Sequence, residues 1–236
     1  MKVDFTIHDS LNPKFWNGFT LKKNVRKKLV ETALEFHKFL KIKAKIKDVI
    51  ITGSSSNFNY SPKYSDVDLH ILYEFDDVLA EVDDGEVIKT EDELVEEYLN
   101  AKKSLWNDNY DISIKGTNVE LYAQDVDAKH VASGTFSLIK NSWLKKPEKT
   151  DVELDLETAV DKAKDLMHQI DHVIDSKLDS KKLKEKLFKF RQSGLESKEG
   201  EFSPENLAFK ILRRTDYIEK LHDYAVEKTV DSLSIK

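Results

Sequence analysis

Hydrophobic and polar positions alternate or recur along this chain in a way that predicts its elements. Val3, Phe5 and Ile7 alternate with Lys2, Asp4 and Thr6, the period of a short strand, and Asp9-Ser10-Leu11-Asn12-Pro13 carries turn chemistry. Leu21, Val25, Leu29, Thr32, Phe36 and Phe39 then recur at three- and four-residue steps. That spacing predicts a helix over residues 20–41 with one apolar stripe inward and its lysines outward. Asp48-Val49-Ile50-Ile51-Thr52 is a β-branched run that stops at Gly53, as a buried strand would. After a polar stretch, Asp66-Val67-Asp68-Leu69-His70-Ile71-Leu72 alternates, so that Asp66, Asp68 and His70 share one strand face and Val67, Leu69 and Ile71 the other.

Residues 76–86 read as an acidic loop, and 91–105 as a helix whose early acids suit the positive end of its dipole, with Leu94, Tyr98, Leu105 and Trp106 on the buried side. Residues 110–114 and 119–123 form two alternating strands joined through Lys115-Gly116-Thr117-Asn118, a hairpin. Beyond about residue 130 the pattern turns helical, over 154–175 and 181–191. Gly194 to Gly200 reads as a polar connection, and Ser203-Pro204-Glu205 opens a further helix with Ser as cap and Pro in the first turn. The expected organisation is α+β: residues 1–130 as a small mixed sheet flanked by helices, and 131–236 as a mainly helical region. No internal repeat or low-complexity tract interrupts it.

Composition narrows the chemistry. The chain has no cysteine, which excludes a catalytic thiol, a disulfide framework and a thiolate metal site, and suits a reducing cytoplasm. The N-terminus lacks the apolar stretch of a secretory signal, and no apolar run reaches the ~20 residues of a spanning helix. The expectation is a cytoplasmic protein without membrane contact, in the host cytoplasm if it is phage-encoded. Net charge is −6, unlike a non-specific nucleic-acid binder. The charges are segregated, however: ten Lys or Arg face Glu31 and Glu35 between residues 22 and 47, and twelve acids face Lys89 between 74 and 97. Solvated surface accounts for both runs.

Asp66 and Asp68 stand out because two carboxylates on one strand face lie roughly 7 Å apart and repel. Water, a basic neighbour or a divalent cation with a preference for oxygen would offset that repulsion. Two solvated acids on an exposed strand explain the pair equally well. Upstream, however, a strand ends at Gly53-Ser54, and eleven residues separate Ser54 from Asp66. Glycine lets the backbone approach a ligand, and serine hydroxyls and N–H groups can hold phosphate oxygens. Strand, Gly-Ser, polar connection and Asp-hydrophobic-Asp on a second strand together make a restrictive pattern.

In Gly53-Ser54-Ser55-Ser56-Asn57 and Ser65-Asp66-Val67-Asp68-Leu69-His70 the chain resembles the nucleotidyltransferase superfamily, which includes DNA polymerase beta, poly(A) polymerases, CCA-adding enzymes and antibiotic-modifying nucleotidyltransferases. The match spans roughly residues 46–125. More loosely, with Arg191-Gln192-Ser193-Gly194-Leu195 and Glu201-Phe202-Ser203-Pro204-Glu205-Asn206-Leu207, the whole chain looks like uncharacterised nucleotidyltransferases of tailed phages. The resemblance implies a polymerase beta-like fold, with Gly53, Ser54, Ser55 and Ser65 contacting a nucleoside triphosphate. It further implies Asp66 and Asp68 as ligands of two Mg2+ or Mn2+ ions, and a third carboxylate on a later strand. Val119-Glu120-Leu121-Tyr122 has the form that position requires, which favours Glu120 for metal and catalysis, with Asp111 as rival and Asp125 behind it.

The implied reaction moves a nucleoside monophosphate to an acceptor hydroxyl and releases pyrophosphate, with RNA such as a tRNA end as the leading acceptor. Lys181, Lys182, Lys184, Lys186, Lys189 and Arg191, and Arg213-Arg214, could track an RNA backbone, although helix solubility explains them as well. A protein, a small molecule or a second nucleotide are other acceptors. A non-catalytic binding or antitoxin-like module of the same fold is the competing class. Tyr60 and Tyr64 are placed in the loop to meet a base, and Lys63 to meet phosphate, although a loop lysine is more often solvated. His70 could touch a ligand or orient Asp68. His168 and His172 share a helical face but have no third zinc ligand in sequence, and read as surface or interface residues.

Overall fold

The run Asp48–Thr52 is buried at every residue, as an interior strand must be. The computed structural model describes residues 5–82, 91–128 and 132–234. A small hairpin, β1 (Trp16–Asn17) and β2 (Thr20–Leu21), leads into helix α1 (Lys23–Leu40). Next come β3 (Asp48–Thr52), β4 (Val67–Tyr73), α2 (Phe75–Val82), α3 (Glu91–Asn109), β5 (Ser113–Ile114) and β6 (Thr117–Asp125), followed by β7 (Thr135–Ser137) and β8 (Ser142–Lys145). The remainder is helical: α4 (Leu156–Asp175), α5 (Lys181–Glu196), α6 (Pro204–Arg214) and α7 (Tyr217–Leu233). The fold is α+β, with a six-stranded mixed sheet in the order β5-β6-β4-β3-β7-β8.

The chain divides into two units that meet between Lys149 and Thr150. In the first, β4 and β6 pair in parallel, while β3 pairs antiparallel with both β4 and β7. Parallel neighbours need a long crossover. Here α2 and α3 lie within it. One face of the sheet, with Val49, Ile51, Val67, Leu69, Ile71 and Leu121, joins Val25, Leu29, Ala33, Phe36 and Leu40 of α1 in a single apolar core. The opposite face carries Asp68, His70, Glu120 and Tyr122, in adjacent registers of β4 and β6.

Several elements differ from the sequence reading, each for a physical reason. Residues 5–7 form no strand, and 1–4, the rest of that expected element, lie outside the described residues. Leu21 belongs to β2, so the helix begins at Lys23. The expected acidic loop contains α2, whose first N–H, on Phe75, donates to Asp125 Oδ2 at 2.9 Å, while its acids at Asp76 and Asp77 suit the helix start; residues 83–90 lie outside the described residues. The buried stripe of α3 is Val95, Leu99 and Trp106, and Leu105 is 52% exposed. The hairpin turn is two residues, Lys115 and Gly116, both at positive φ of 56 and 71, the backbone that twists with its strands.

Strands β7 and β8 fall beyond residue 130, where a mainly helical region was expected and no strand was read. Three- and four-residue strands carry almost no periodic signal. Their places come from tertiary bonds: Ser137 Oγ donates to Asp48 Oδ1 at 2.7 Å, Leu138 N–H donates to the Val49 carbonyl at 2.7 Å, and Trp143 stacks on Trp16 at 4.7 Å.

The second unit has its own core of Leu166, Ile170, Leu183, Leu187, Leu212 and Leu221. Asp155 caps α4 by accepting from Thr158 N–H at 3.0 Å, and Ser203 caps α6 by accepting from Asn206 N–H at 3.2 Å. Helix α5 runs straight through Gly194, where a polar connection was expected. The start of α6 packs on that glycine: a Cβ there would lie 2.6 Å from Ser203 Oγ and 2.7 Å from Glu205 Cβ.

Gly194 yields a test in which two principles have opposite signs. Helix propensity alone has Gly→Ala stabilise by about 1 kcal/mol. The contact predicts the reverse, with Gly194→Ala destabilising by about 1–3 kcal/mol in urea unfolding as the α6 cap is pushed away. A stabilised variant would show that the crossing relaxes freely.

Candidate active site

Strand β3 ends at Thr52, and Gly53 opens a tight turn over Gly53–Ser56 with φ +67. That backbone region disfavours side chains by itself. A second constraint acts on the same residue: a Cβ on Gly53 would fall 1.9 Å from Asp68 Oδ2. A side chain at residue 53 would have to displace the Asp68 carboxylate from this position.

Strand register does the rest. Thr52 pairs with Asp68 across β3–β4, and Asp68 with Glu120 across β4–β6. Asp66 lies two residues before Asp68, immediately ahead of β4. Ligand oxygens of Asp66, Asp68 and Glu120 all lie within 4.8 Å of one another, the one such group of three among the described residues. All three are half-buried. Oxygen-only donors at this spacing, around a turn that leaves space for them, fit a hard divalent cation such as Mg2+ or Mn2+. Each of these side chains would be a ligand.

The rival third acids stand elsewhere. Asp111 is exposed ahead of β5. Asp125 has a structural task, since its Oδ2 caps α2 and its Oδ1 accepts from Asp127 N–H at 2.7 Å.

The serines take different parts. Ser54 Oγ and Ser65 Oγ are 2.7 Å apart, and Ser65 Oγ also accepts from Ser61 N–H at 2.8 Å. These bonds tie the turn to the residue next to Asp66. The hydroxyl of Ser55 is buried and donates to the Thr52 carbonyl at 3.3 Å, while the Ser55 carbonyl accepts from Trp16 Nε1 at 2.8 Å. Tyr60 is buried and stacked on His8 at 3.9 Å, so it serves the core. Tyr64 is exposed, with Lys63 Nζ 4.7 Å from its ring centroid.

Two residues that sequence reasoning did not single out complete the face. The Tyr122 hydroxyl is held protonated far above its ordinary range, first by burial and then by the charge of Glu120 and a hydrogen bond to it. Tyr122 thereby positions Glu120. Lys103 of α3 places Nζ 3.6 Å from the Tyr122 ring centroid. Burial pulls its affinity for the proton down, while the charges of Glu120 and Asp68 pull it up. Nothing in the pair Lys102-Lys103 distinguishes the second by sequence; only the packing of α3 on β6 does. His70 stacks on Tyr122 at 4.6 Å and its Nδ1 is hydrogen-bonded to Gln124 Oε1. His168 and His172 are exposed on α4, and His172 Nδ1 lies 3.3 Å from Ser176 Oγ.

No protein-family model and no curated protein matches the chain. Among solved structures it is similar to a STING-associated CdnE c-di-GMP synthase from Capnocytophaga granulosa, at 12% identity and a TM-score of 0.23, over 88% of this chain and 83% of that one. A likeness that slight says nothing about the substrate of this chain. No helix among the described residues is long and apolar enough to cross a membrane.

The close approach of Gly53 to Asp68 generates a direct test. Gly53→Ala should weaken Mn2+ binding by at least about tenfold, read by calorimetry, with the far-ultraviolet spectrum unchanged. Wild-type affinity in that variant would remove the turn from the site.

Proposed function

We propose that this chain is a metal-dependent nucleotidyltransferase, moving a nucleoside monophosphate from a nucleoside triphosphate to an acceptor hydroxyl. The observation that carries this reading is the convergence of Asp66, Asp68 and Glu120 beside the Gly53-Ser54 turn. Three carboxylates drawn together leave a concentration of negative charge that a cation offsets. An adjacent glycine turn is suited to a phosphate chain.

In the proposed reaction the acceptor oxygen forms a bond to the α-phosphorus, the bond from that phosphorus to the α–β bridging oxygen breaks, and pyrophosphate leaves. Asp66 and Asp68 would hold two Mg2+ or Mn2+ ions, with Glu120 completing the acceptor-side ion. When bound, the metals neutralise charge on the entering and leaving oxygens. A Glu120 carboxylate oxygen takes the proton of the acceptor hydroxyl, with the Tyr122 hydroxyl holding it in place. Gly53, Ser54 and Ser65 receive the triphosphate; Ser55 contributes through the turn backbone. RNA such as a tRNA end is the acceptor class we favour, on the strength of the basic residues along α5 and at the end of α6.

Incubation with each α-labelled nucleoside triphosphate, Mg2+ or Mn2+ and total RNA tests this reading. Label should pass to RNA, and Asp66→Asn/Asp68→Asn should reduce transfer by at least roughly a hundredfold while remaining folded, since losing like charges need not destabilise an empty site. Label on protein or on small products would move the acceptor to those classes. Absence of transfer under every condition would replace the enzyme with a non-catalytic binding module.

A further inference from the structure

Within the helical unit, cations from two helices meet around one half-buried lysine. Lys210, Arg213 and Arg214 occupy positions i, i+3 and i+4 of α6, which places them on neighbouring parts of one helical surface. Arg191 comes from α5 and reaches α6, its guanidinium carbon 5.0 Å from the ring centroid of Phe209. Lys210 is only partly open to solvent. Burial disfavours its charge, and the guanidiniums of Arg214, Arg191 and Arg213 add repulsion that the Glu201 carboxylate opposes.

The ordinary explanations cover part of this cluster. Arg213 and Arg214 lie in the last turn of α6, where cations complement the helix dipole. Helix solubility explains exposed lysines elsewhere on α5. Neither accounts for a partly buried lysine a turn earlier, or for the arginine stacked in from the adjoining helix. Like charges on one helical face destabilise it. Three guanidinium forks and an ammonium match the oxygens of phosphate groups, which arginine binds in bidentate fashion and lysine as a point charge.

We propose that Arg191, Lys210, Arg213 and Arg214 form a phosphate-binding site on the helical unit, receiving either a nucleic-acid backbone or a polyphosphate tail. Glu201 tunes it by opposing the ligand's charge. This site deepens the RNA reading of the proposed function, which draws on the same basic residues of α5 and α6, whereas the transfer chemistry at the acidic triad is tested separately.

Fluorescence anisotropy of the full chain with labelled single-stranded RNA of about 20 nucleotides tests the site, across salt from about 50 to 200 mM. The expected result is salt-sensitive binding that Arg191→Gln/Arg213→Gln weakens by at least about tenfold, lowering the salt slope by roughly 1–1.5. The melting temperature of that variant should stay near wild type. Glu201→Gln should tighten binding, and Asp66→Asn/Asp68→Asn should leave it unchanged. Inorganic tripolyphosphate is the competitor: displacement of the RNA assigns the site to a polyphosphate tail, and failure to displace it assigns the site to a nucleic-acid strand. Binding of both probes to Arg191→Gln/Arg213→Gln as tightly as to wild type, or to neither form of the protein, would overturn the proposal.

Discussion

The parallel pairing of β4 with β6 is the constraint on which the rest of this structure depends. It sets Asp68 beside Glu120, His70 beside Tyr122 and, on the opposite face, Leu69 beside Leu121. A one-residue slip of either strand would exchange its faces, sending acids into the apolar core and leucines to the acidic side. Core packing and site assembly therefore select the same register. The burial of Leu69, Ile71 and Leu121 under α1 supplies the free energy that holds three like charges together.

The Gly53 turn adds a steric condition to that electrostatic one. Its backbone closes to the Asp68 carboxylate so that a Cβ at residue 53 would displace that carboxylate, and the Ser54–Ser65 bond fastens the turn to the residue next to Asp66. Tyr122 and Lys103 then close the other side of Glu120 with a hydroxyl and an ammonium. A chemically mixed surface results: acids suited to a cation, a glycine turn suited to phosphate, and a hydroxyl and a cation near the acid assigned to the proton. In the helical unit the charges near Lys210 are mainly cationic, those of Arg191, Arg213 and Arg214, with the Glu201 carboxylate opposing them.

How far the sequence could be read depended on the range of the interaction involved. Strand β3, the alternation in β4, the cap at Ser203 and the core stripe of α1 were legible because each arises within a few residues. Short strands β7 and β8 were not, since Asp48 and Trp16, far earlier in the chain, hold them in place. Gly194 misled for a related reason. A glycine in a polar stretch reads as a break, yet here it is the point where a second helix sits on the first.

By itself the sequence determined which residues could do chemistry: Gly53, Ser54, Asp66, Asp68 and a hydrophobic-flanked acid, on strands recognisable from a period of two. Tertiary structure decided which of them meet. Glu120 joins the aspartates and Asp125 caps a helix instead, because strand pairing between residues some fifty positions apart is set by the register of a whole sheet. Tyr60 is drawn into the core, and Lys103, indistinguishable from its neighbour by sequence, reaches the Tyr122 ring. Local periodicity states which way a side chain faces along its own element. Packing between elements determines what it faces, and no pattern within one element contains that information.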